Sequence, residues 1–446
     1  MPHTSTAQSA TPAASKKRGS NNLGISGKSI NRQQNQEVTG VFVANPTRFM
    51  KYALSRRAGS ILYDPAKEAR DQHRTVWCHR GVANAGDNVA VYRTVNGSSA
   101  RMHGVTTCKS VWTCAVCSAK ICAARQAELS EGMKYWVAQG GFVFLMTLTF
   151  PHEHGEALSE ILPAFTKAKA HFKNSKTYKR ILAKGVRKGS VSSLEVTRGE
   201  RSGWHPHQHD LVFCTPEAFG DITQGEQGRL SSRVIDELKE AWYMALRKAG
   251  LCEQSEMTDV LAHGLDVRGG QYAAEYIAKF GKEQKWGLSR EVTMHAAKVG
   301  SDNKGAHPFQ LLAWAEAGDG DAVEQFREYA EAFEGKRMLS WSRGMKKELT
   351  GREELTDEQA MALEMPEEAV AGHIDSEALS VLQSRRLLPN FLAYVAEYCA
   401  DPATAQEDID SYLAFAREAR KVARGDVKVK MWSRGFMHVD KETANA

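Results

Sequence analysis

The 446-residue sequence predicts an α+β protein: a central antiparallel sheet with flanking helices, preceded by a zinc-ribbon-like module and followed by a mainly helical region. Three observations carry that expectation. Strand-like and helix-like runs alternate through the middle of the chain. Two strand-like runs are separated by a turn short enough to make them an antiparallel hairpin. Five cysteines fall between positions 78 and 122.

The elements follow in order. Residues 1–45 are rich in Ser, Thr, Asn, Gln and Gly and hold no hydrophobic signal core, so a disordered tail and a cytoplasmic protein are expected. Residues 70–125 form the cysteine-rich module, 126–290 the sheet domain and 291–446 the helical accessory region. Ser118 to Gln139 reads as a helix stopped by Gly140-Gly141. The run Gly141 to Phe150 (GFVFLMTLTF) is apolar on both faces and rich in aromatic and β-branched residues, as a central strand is. It is about half the ~20 residues that a membrane-spanning helix needs. Ala157 to Lys184 is helical and basic, broken at Pro163; Ser190 to Arg198 alternates as a strand. The turn Gly199 to Gly203 then leads into a second strand. Leu230 to Ala249 has helical periodicity, Val260 to Val267 reads as a weak strand and Gln271 to Phe280 as a short helix. Helical patterns dominate beyond Lys282, with one more helix inside Pro402 to Ala423.

The cysteines point to a structural ion. Cys114-Ala-Val-Cys117 has the spacing that lets two thiolates reach one tetrahedral centre, and Cys78 and Cys108 supply a second pair. Between them Asn88 to Met102 alternates around an Asn-Gly turn, a hairpin pattern. Cys122 competes with Cys78 for the fourth position. The composition of this cytosolic-type chain favours bound Zn²⁺ over disulfides.

Net charge is only +6, and its distribution says more than its size. From Ile161 to Leu194 there is no acid, while Lys167, Lys169, Lys173, Lys176, Lys179 and Arg180 crowd the same stretch. Unopposed charge of this kind suits a phosphate backbone, so these six residues are expected to bind DNA.

The stretch GWHPHQHDLVF (203–213) places three histidines in five positions. Alternation along a strand puts His207, His209, Leu211 and Phe213 on one face, so two imidazoles can grip one ion. His205 shares that face but sits before Pro206 and is a flanking candidate. Glu195 is the carboxylate of the preceding strand and the expected third ligand. Two imidazoles and a carboxylate suit Mn²⁺ or Zn²⁺, and Mg²⁺ where water and substrate phosphate complete its shell; Mn²⁺ or Mg²⁺ is the expected cofactor. Downstream, Tyr272, Tyr276 and Lys279 fall at i, i+4 and i+7 on one helix face. A tyrosine needs help to act as a nucleophile, which a metal and a nearby ammonium would give.

In this order, Met146-Thr-Leu-Thr-Phe150, His205-Pro-His-Gln-His209 and Tyr276-Ile-Ala-Lys279 resemble the HUH endonucleases, and among them the rolling-circle replication initiators of small plasmids. The cysteine block and Met338-Leu-Ser-Trp-Ser-Arg-Gly344 resemble the plasmid replication-protein branch, so the likeness spans roughly residues 75 to 345. It implies the HUH fold and nicking of one strand of plasmid origin DNA, in single-stranded or hairpin form, through a 5′-phosphotyrosine. It also implies a host helicase and polymerase as partners in a bacterial cytoplasm. By the same resemblance His207 and His209 are metal ligands, Tyr276 the nucleophile and Lys279 its helper, with Tyr272 a second nucleophile. Gln208 and Asp210 depart from the family's apolar pattern, which implies either a wetter far face of the sheet or a less covered edge. No GxxxxGK[ST] is present, so no ATPase is expected. The competing expectations are a zinc-dependent DNA-binding protein without cleavage activity and an HUH transposase.

Overall fold

The computed structural model describes residues 46–84, 88–200, 202–279, 305–353, 356, 359, 368–419, 429–431 and 437–439. The expected N-terminal tail and Phe280 lie outside the described residues. In chain order, helix α1 (Pro46–Ile61) leads through the first cysteine to the hairpin β1 (Val89–Thr94) and β2 (Ala100–His103). Then come α2 (Ala115–Ala138), β3 (Phe142–Leu148), α3 (Leu158–Asn174) and α4 (Lys176–Ile181). The long hairpin β4 (Arg187–Gly199) and β5 (Gly203–Cys214) is followed by a ribbon of β6 (Thr223–Gln224) and β7 (Leu230–Ser231). Helices α5 (Arg233–Ala249) and α6 (Met257–His263), strand β8 (Leu265–Arg268) and α7 (Gly270–Lys279) come next. After residue 304 the elements are α8 (Pro308–Glu316), α9 (Gly320–Ala332), β9 (Leu339–Trp341) and α10 (Met345–Thr350). The last to concern us are β10 (Glu368–Ile374), α11 (Ser376–Ser384), α12 (Leu388–Tyr398) and α13 (Ala405–Glu418).

Five strands form the main sheet in the order β8-β3-β5-β4-β9, with every neighbouring pair antiparallel. The architecture is thus α+β, as the sequence predicts. β3 is buried on both faces, and its alternate residues feed two separate cores. Phe144, Met146 and Leu148 join Phe165 and Phe172 of α3, Trp242 and Leu246 of α5 and Phe326 of α9. Val143 and Leu145 join Leu211 and Phe213 of β5, Ile121 and Leu129 of α2, Ile277 of α7 and the cysteines. We call the first the back face and the second the front face. A continuous apolar strand is what two covered faces require.

Local chemistry sets several boundaries. The basic helical stretch does break, but at Ser175 rather than Pro163. Ser175 is extended (φ −62°, ψ 150°), and its hydroxyl accepts from Tyr178 N to cap α4. Pro163 instead lies inside α3. The stretch read as a weak strand from Val260 divides into α6 and β8, with Gly264 between them. α5 is capped by the Ser232 side chain and ended by Gly250 in the left-handed region.

The far C-terminal part returns to the cysteine region. β10 pairs with β1 to make a three-stranded sheet, and Phe391, Val395 and Ile409 cover it against Val89, Val91 and Ile374. β9 likewise comes from beyond residue 290 and lines up with β4. Both sheets therefore take a strand that is remote in sequence. No helix among the described residues is long and apolar enough to cross a membrane.

Cys78, Cys108, Cys114 and Cys117 converge, with one sulfur from each within 4.8 Å of the others. Three of the Sγ–Sγ spacings are 3.6 Å, against about 3.8 Å for the edge of a tetrahedron with 2.3 Å metal–sulfur bonds. The donor set therefore fits a thiophilic ion. Cys122 lies on α2 beside Met338 Sδ (4.0 Å), so the fourth sulfur is that of Cys78.

Gln208 and Asp210 do not leave the back face wet or bare. Both are buried, and Asp210 has no exposed surface. Lys173 Nζ lies 3.1 Å from Asp210 Oδ2 and 3.2 Å from Ser192 Oγ. Lys169 Nζ donates to Gln208 Oε1 at 2.8 Å, and Gln208 Nε2 donates to Asp210 Oδ1 at 2.6 Å. Burial works against charge on Lys173, but Asp210 outweighs it and raises the ammonium's pKa. α3 is thus bound to the sheet by a polar network as well as by its aromatic residues.

Two outcomes are expected. Asp210→Ala leaves the Lys173 charge uncompensated and lowers unfolding stability by about 3 kcal/mol in urea titration. Joint replacement Asp210→Leu with Lys173→Met recovers most of that loss. Elemental analysis of the purified protein should find a metal ion that Cys78→Ser loses and Cys122→Ser keeps. An ion retained by Cys78→Ser would remove that sulfur from the cluster.

Candidate active site

The site is built on the pairing of β4 with β5. Glu195 is the cross-strand partner of His207, and Ser193 that of His209. Directly opposed residues share a face, so Glu195, His207 and His209 project together from the front face. Glu195 Oε2 lies 3.5 Å from His207 Nε2 and 3.8 Å from His209 Nε2. These three residues form the second group among the described residues whose ligand atoms could hold a metal ion. Pro206 is tolerated because β3 pairs with β5 only from Gln208 onward, so the missing N–H falls where β5 has a neighbour on one side.

Each histidine has a partner that orients it. Thr147, opposite His209 on β3, places Oγ1 2.9 Å from His209 Nδ1. His207 Nδ1 lies 3.2 Å from the carbonyl oxygen of His205. With Nδ1 so engaged, each ring turns Nε2 towards Glu195. A hydrogen bond to one imidazole nitrogen fixes which nitrogen is left for a metal. Thr147 was not among the residues singled out by sequence reasoning. The signal was present in the block MTLTF, where Thr147 and Thr149 interrupt an apolar strand on one face.

α7 lies across this face with Ala273 and Ile277 buried beneath it. That packing turns Tyr276 inward. Its phenol donates to Glu195 Oε1 at 2.7 Å, and its ring centroid is 4.8 Å from that of His209. Burial works against a charged Glu195, yet hydrogen bonds and charge from His207, His209 and Tyr276 outweigh it and hold the carboxyl at about 2. Burial in turn lowers the pKa of His209. An ionised carboxylate and a neutral imidazole are the forms in which Glu195 and His209 could bind a divalent ion.

The other residues singled out from the sequence are distributed differently. His205 bonds Thr149 through Nε2 and stacks on His152 with ring centroids 4.3 Å apart. It lies outside the triad. Tyr272 is one turn before Tyr276, with the Arg268 guanidinium 5.4 Å from its ring centroid. Lys279 is exposed and 3.7 Å from Glu275. The basic stretch does not form one continuous exposed stripe. Lys167, Lys176, Lys179 and Arg180 are exposed, Arg180 pairing with Glu237, whereas Lys169 and Lys173 turn into the back-face network.

Residues 99–231 match a family model described as a replication protein; the match includes Glu195, His207 and His209 and ends before α7. The chain is 26% identical to "Protein rep" of Streptomyces lividans over 58% of this chain and 67% of that protein. It is 30% identical to a "Neomycin resistance protein" of Streptomyces cyanogenus over 30% of this chain and 35% of that protein. No solved structure gives a significant match. Taken together, the matches show that the middle of this chain is similar to replication proteins.

Proposed function

We propose that the protein initiates rolling-circle plasmid replication by nicking one strand of origin DNA with Tyr276, and rejoins it at termination. The observation that supports this reading most is the hydrogen bond from the Tyr276 phenol to Glu195, a phenol held against a metal-type donor set. Glu195, His207 and His209 would hold a divalent ion, Mn²⁺ or Mg²⁺, which when bound polarises the scissile phosphate and offsets its developing charge. The four-cysteine cluster would hold a structural Zn²⁺.

The chain's own residues do the rest. Packing of Ala273 and Ile277 fixes α7, so the Tyr276 oxygen is positioned before DNA binds. As that oxygen bonds to phosphorus, the P–O3′ bond breaks and leaves a 5′-phosphotyrosine and a free 3′-OH for priming. The phenol proton, engaged by Glu195 in the free protein, passes to solvent, and the leaving 3′ oxygen takes one up from water to become the 3′-OH. Lys279 lies one turn further along, and its exposed contact with Glu275 is of the weak kind that a DNA phosphate can displace. Tyr272 would serve as the second nucleophile in rejoining. Lys167, Lys176, Lys179 and Arg180, exposed on α3 and α4, would bind flanking DNA, with Lys169 and Lys173 supporting them from inside. The partners under this reading are the origin strand and a host helicase and polymerase, in a bacterial cytoplasm.

A covalent-adduct assay with single-stranded origin oligonucleotide and Mn²⁺ tests this. Wild type should form a denaturant-resistant 5′ adduct that Tyr276→Phe abolishes. Thr147→Val, which removes the partner of His209, should cost about 10- to 100-fold in activity or metal affinity. Absence of any adduct from metal-loaded wild type with bound origin DNA would favour a DNA-binding protein without cleavage activity.

A further inference from the structure

Beside the triad lies a second charged group to which the proposed chemistry assigns no role. Asp266 on β8 is the cross-strand partner of Thr147, and Thr147 is the partner of His209, so all three share the front face. Two strand spacings separate β8 from β5, about 10 Å. Asp266 is mostly buried and carries two arginines. Arg229 Nε lies 3.2 Å from Oδ1, and Arg268 Nε 2.7 Å from Oδ2. An isolated β-bridge between Arg229 and Arg268 also joins their backbones, so both side chains start from neighbouring positions and meet at the one carboxylate.

Tyr272 is part of the same arrangement. The Arg268 guanidinium lies over its ring, and the backbone of Gly228 closes against it. A Cβ at Gly228 would come within 1.8 Å of Tyr272 Cε2, and Gly228 has φ +72°. Glycine is therefore demanded twice at this position, by the ring and by the backbone. α7 begins at Gly270, two residues after Arg268, and adds the positive end of a ten-residue helix. Two guanidiniums against one carboxylate leave a net positive charge, half of whose donors are on Arg229, which is 49% exposed. A rigid, partly exposed arginine pair of this kind suits a phosphodiester.

We infer that Arg229 and Arg268, held in place by Asp266, clamp a non-scissile phosphate of the strand that enters the triad. This rests on the reading of the triad as a site acting on a DNA strand. The clamp would sit on the β8 side of the scissile phosphate and fix the strand's path over Tyr272.

The test is equilibrium binding of a labelled single-stranded oligonucleotide of mixed sequence to the full chain, with no Mn²⁺ or Mg²⁺ added so that cleavage is suppressed, over a range of salt. Arg229→Gln and Arg268→Gln are each expected to weaken binding about 3- to 10-fold at low salt. Each should also flatten the slope of log K against log salt by about 0.7, one phosphate contact on a single strand. Asp266→Asn removes the negative charge and should bind at least as tightly as wild type, an opposite sign that misfolding would not give. Unchanged slopes in both arginine variants overturn the inference. So does weaker binding by Asp266→Asn, which would make the cluster structural. Tyr276 adduct formation with unchanged slopes would sink the clamp alone; flattened slopes without an adduct would leave the clamp standing and sink the nuclease reading.

Discussion

The register of β4 against β5 is the constraint on which the rest of the structure depends. Glu195 faces His207 because the pairing runs from Arg198↔Trp204 through to Val191↔Leu211 without a break. Side chains alternate with period two, so a slip of one residue would send Glu195 to the opposite face from the histidines. The same slip would bring Asp210 into the apolar front core and His209 into the lysine network. Each face of β5 therefore checks the other. The front demands imidazoles opposite a carboxylate, and the back demands an acid beneath Lys173.

This two-sided selection explains why a strand so rich in polar residues occupies the middle of a sheet. His207 and His209 are satisfied through Glu195, Thr147 and the His205 carbonyl; Gln208 and Asp210 through Lys169 and Lys173. Buried polar groups are costly unless partnered, and here the partners come from both layers. The lysines on the inner side of α3 stabilise the strand that carries the metal-type ligands. Lys167, on its outer side, is exposed to solvent instead.

Much of this was legible in the sequence because it depends on short-range periodicity. Alternation placed His207 and His209 together, the brief Gly199–Gly203 turn brought Glu195 opposite, and i, i+4 spacing set Tyr272 and Tyr276 on one helix face. What escaped depends on tertiary partners. A charge run reads the same whether its lysines face solvent or a buried acid, and only the seating of α3 on β5 separates Lys167 from Lys169. β9 and β10 were invisible as sheet members because their partners lie roughly 150 and 280 residues away. Cys78 and Cys122 could not be ranked by spacing, since the choice rests on α2 turning Cys122 towards Met338.

The cysteine cluster is also connected physically to Tyr276. Cys114 caps α2 by accepting from Cys117 N, so two of the four clustered cysteines sit at the first turn of that helix. α2 then runs behind α7: Gln126 donates to the carbonyl of Ala278, and Ala273 and Ile277 share one core with Ile121, Leu129 and the cysteines. α7 spans only ten residues, too short to hold its conformation without packing. Its orientation, and with it the Tyr276–Glu195 hydrogen bond, is therefore supported by the helix whose start the cysteines fix. A cluster far from Tyr276 in sequence thus helps to decide where its phenol oxygen sits, which gives a physical reason for the two groups to occur in one chain.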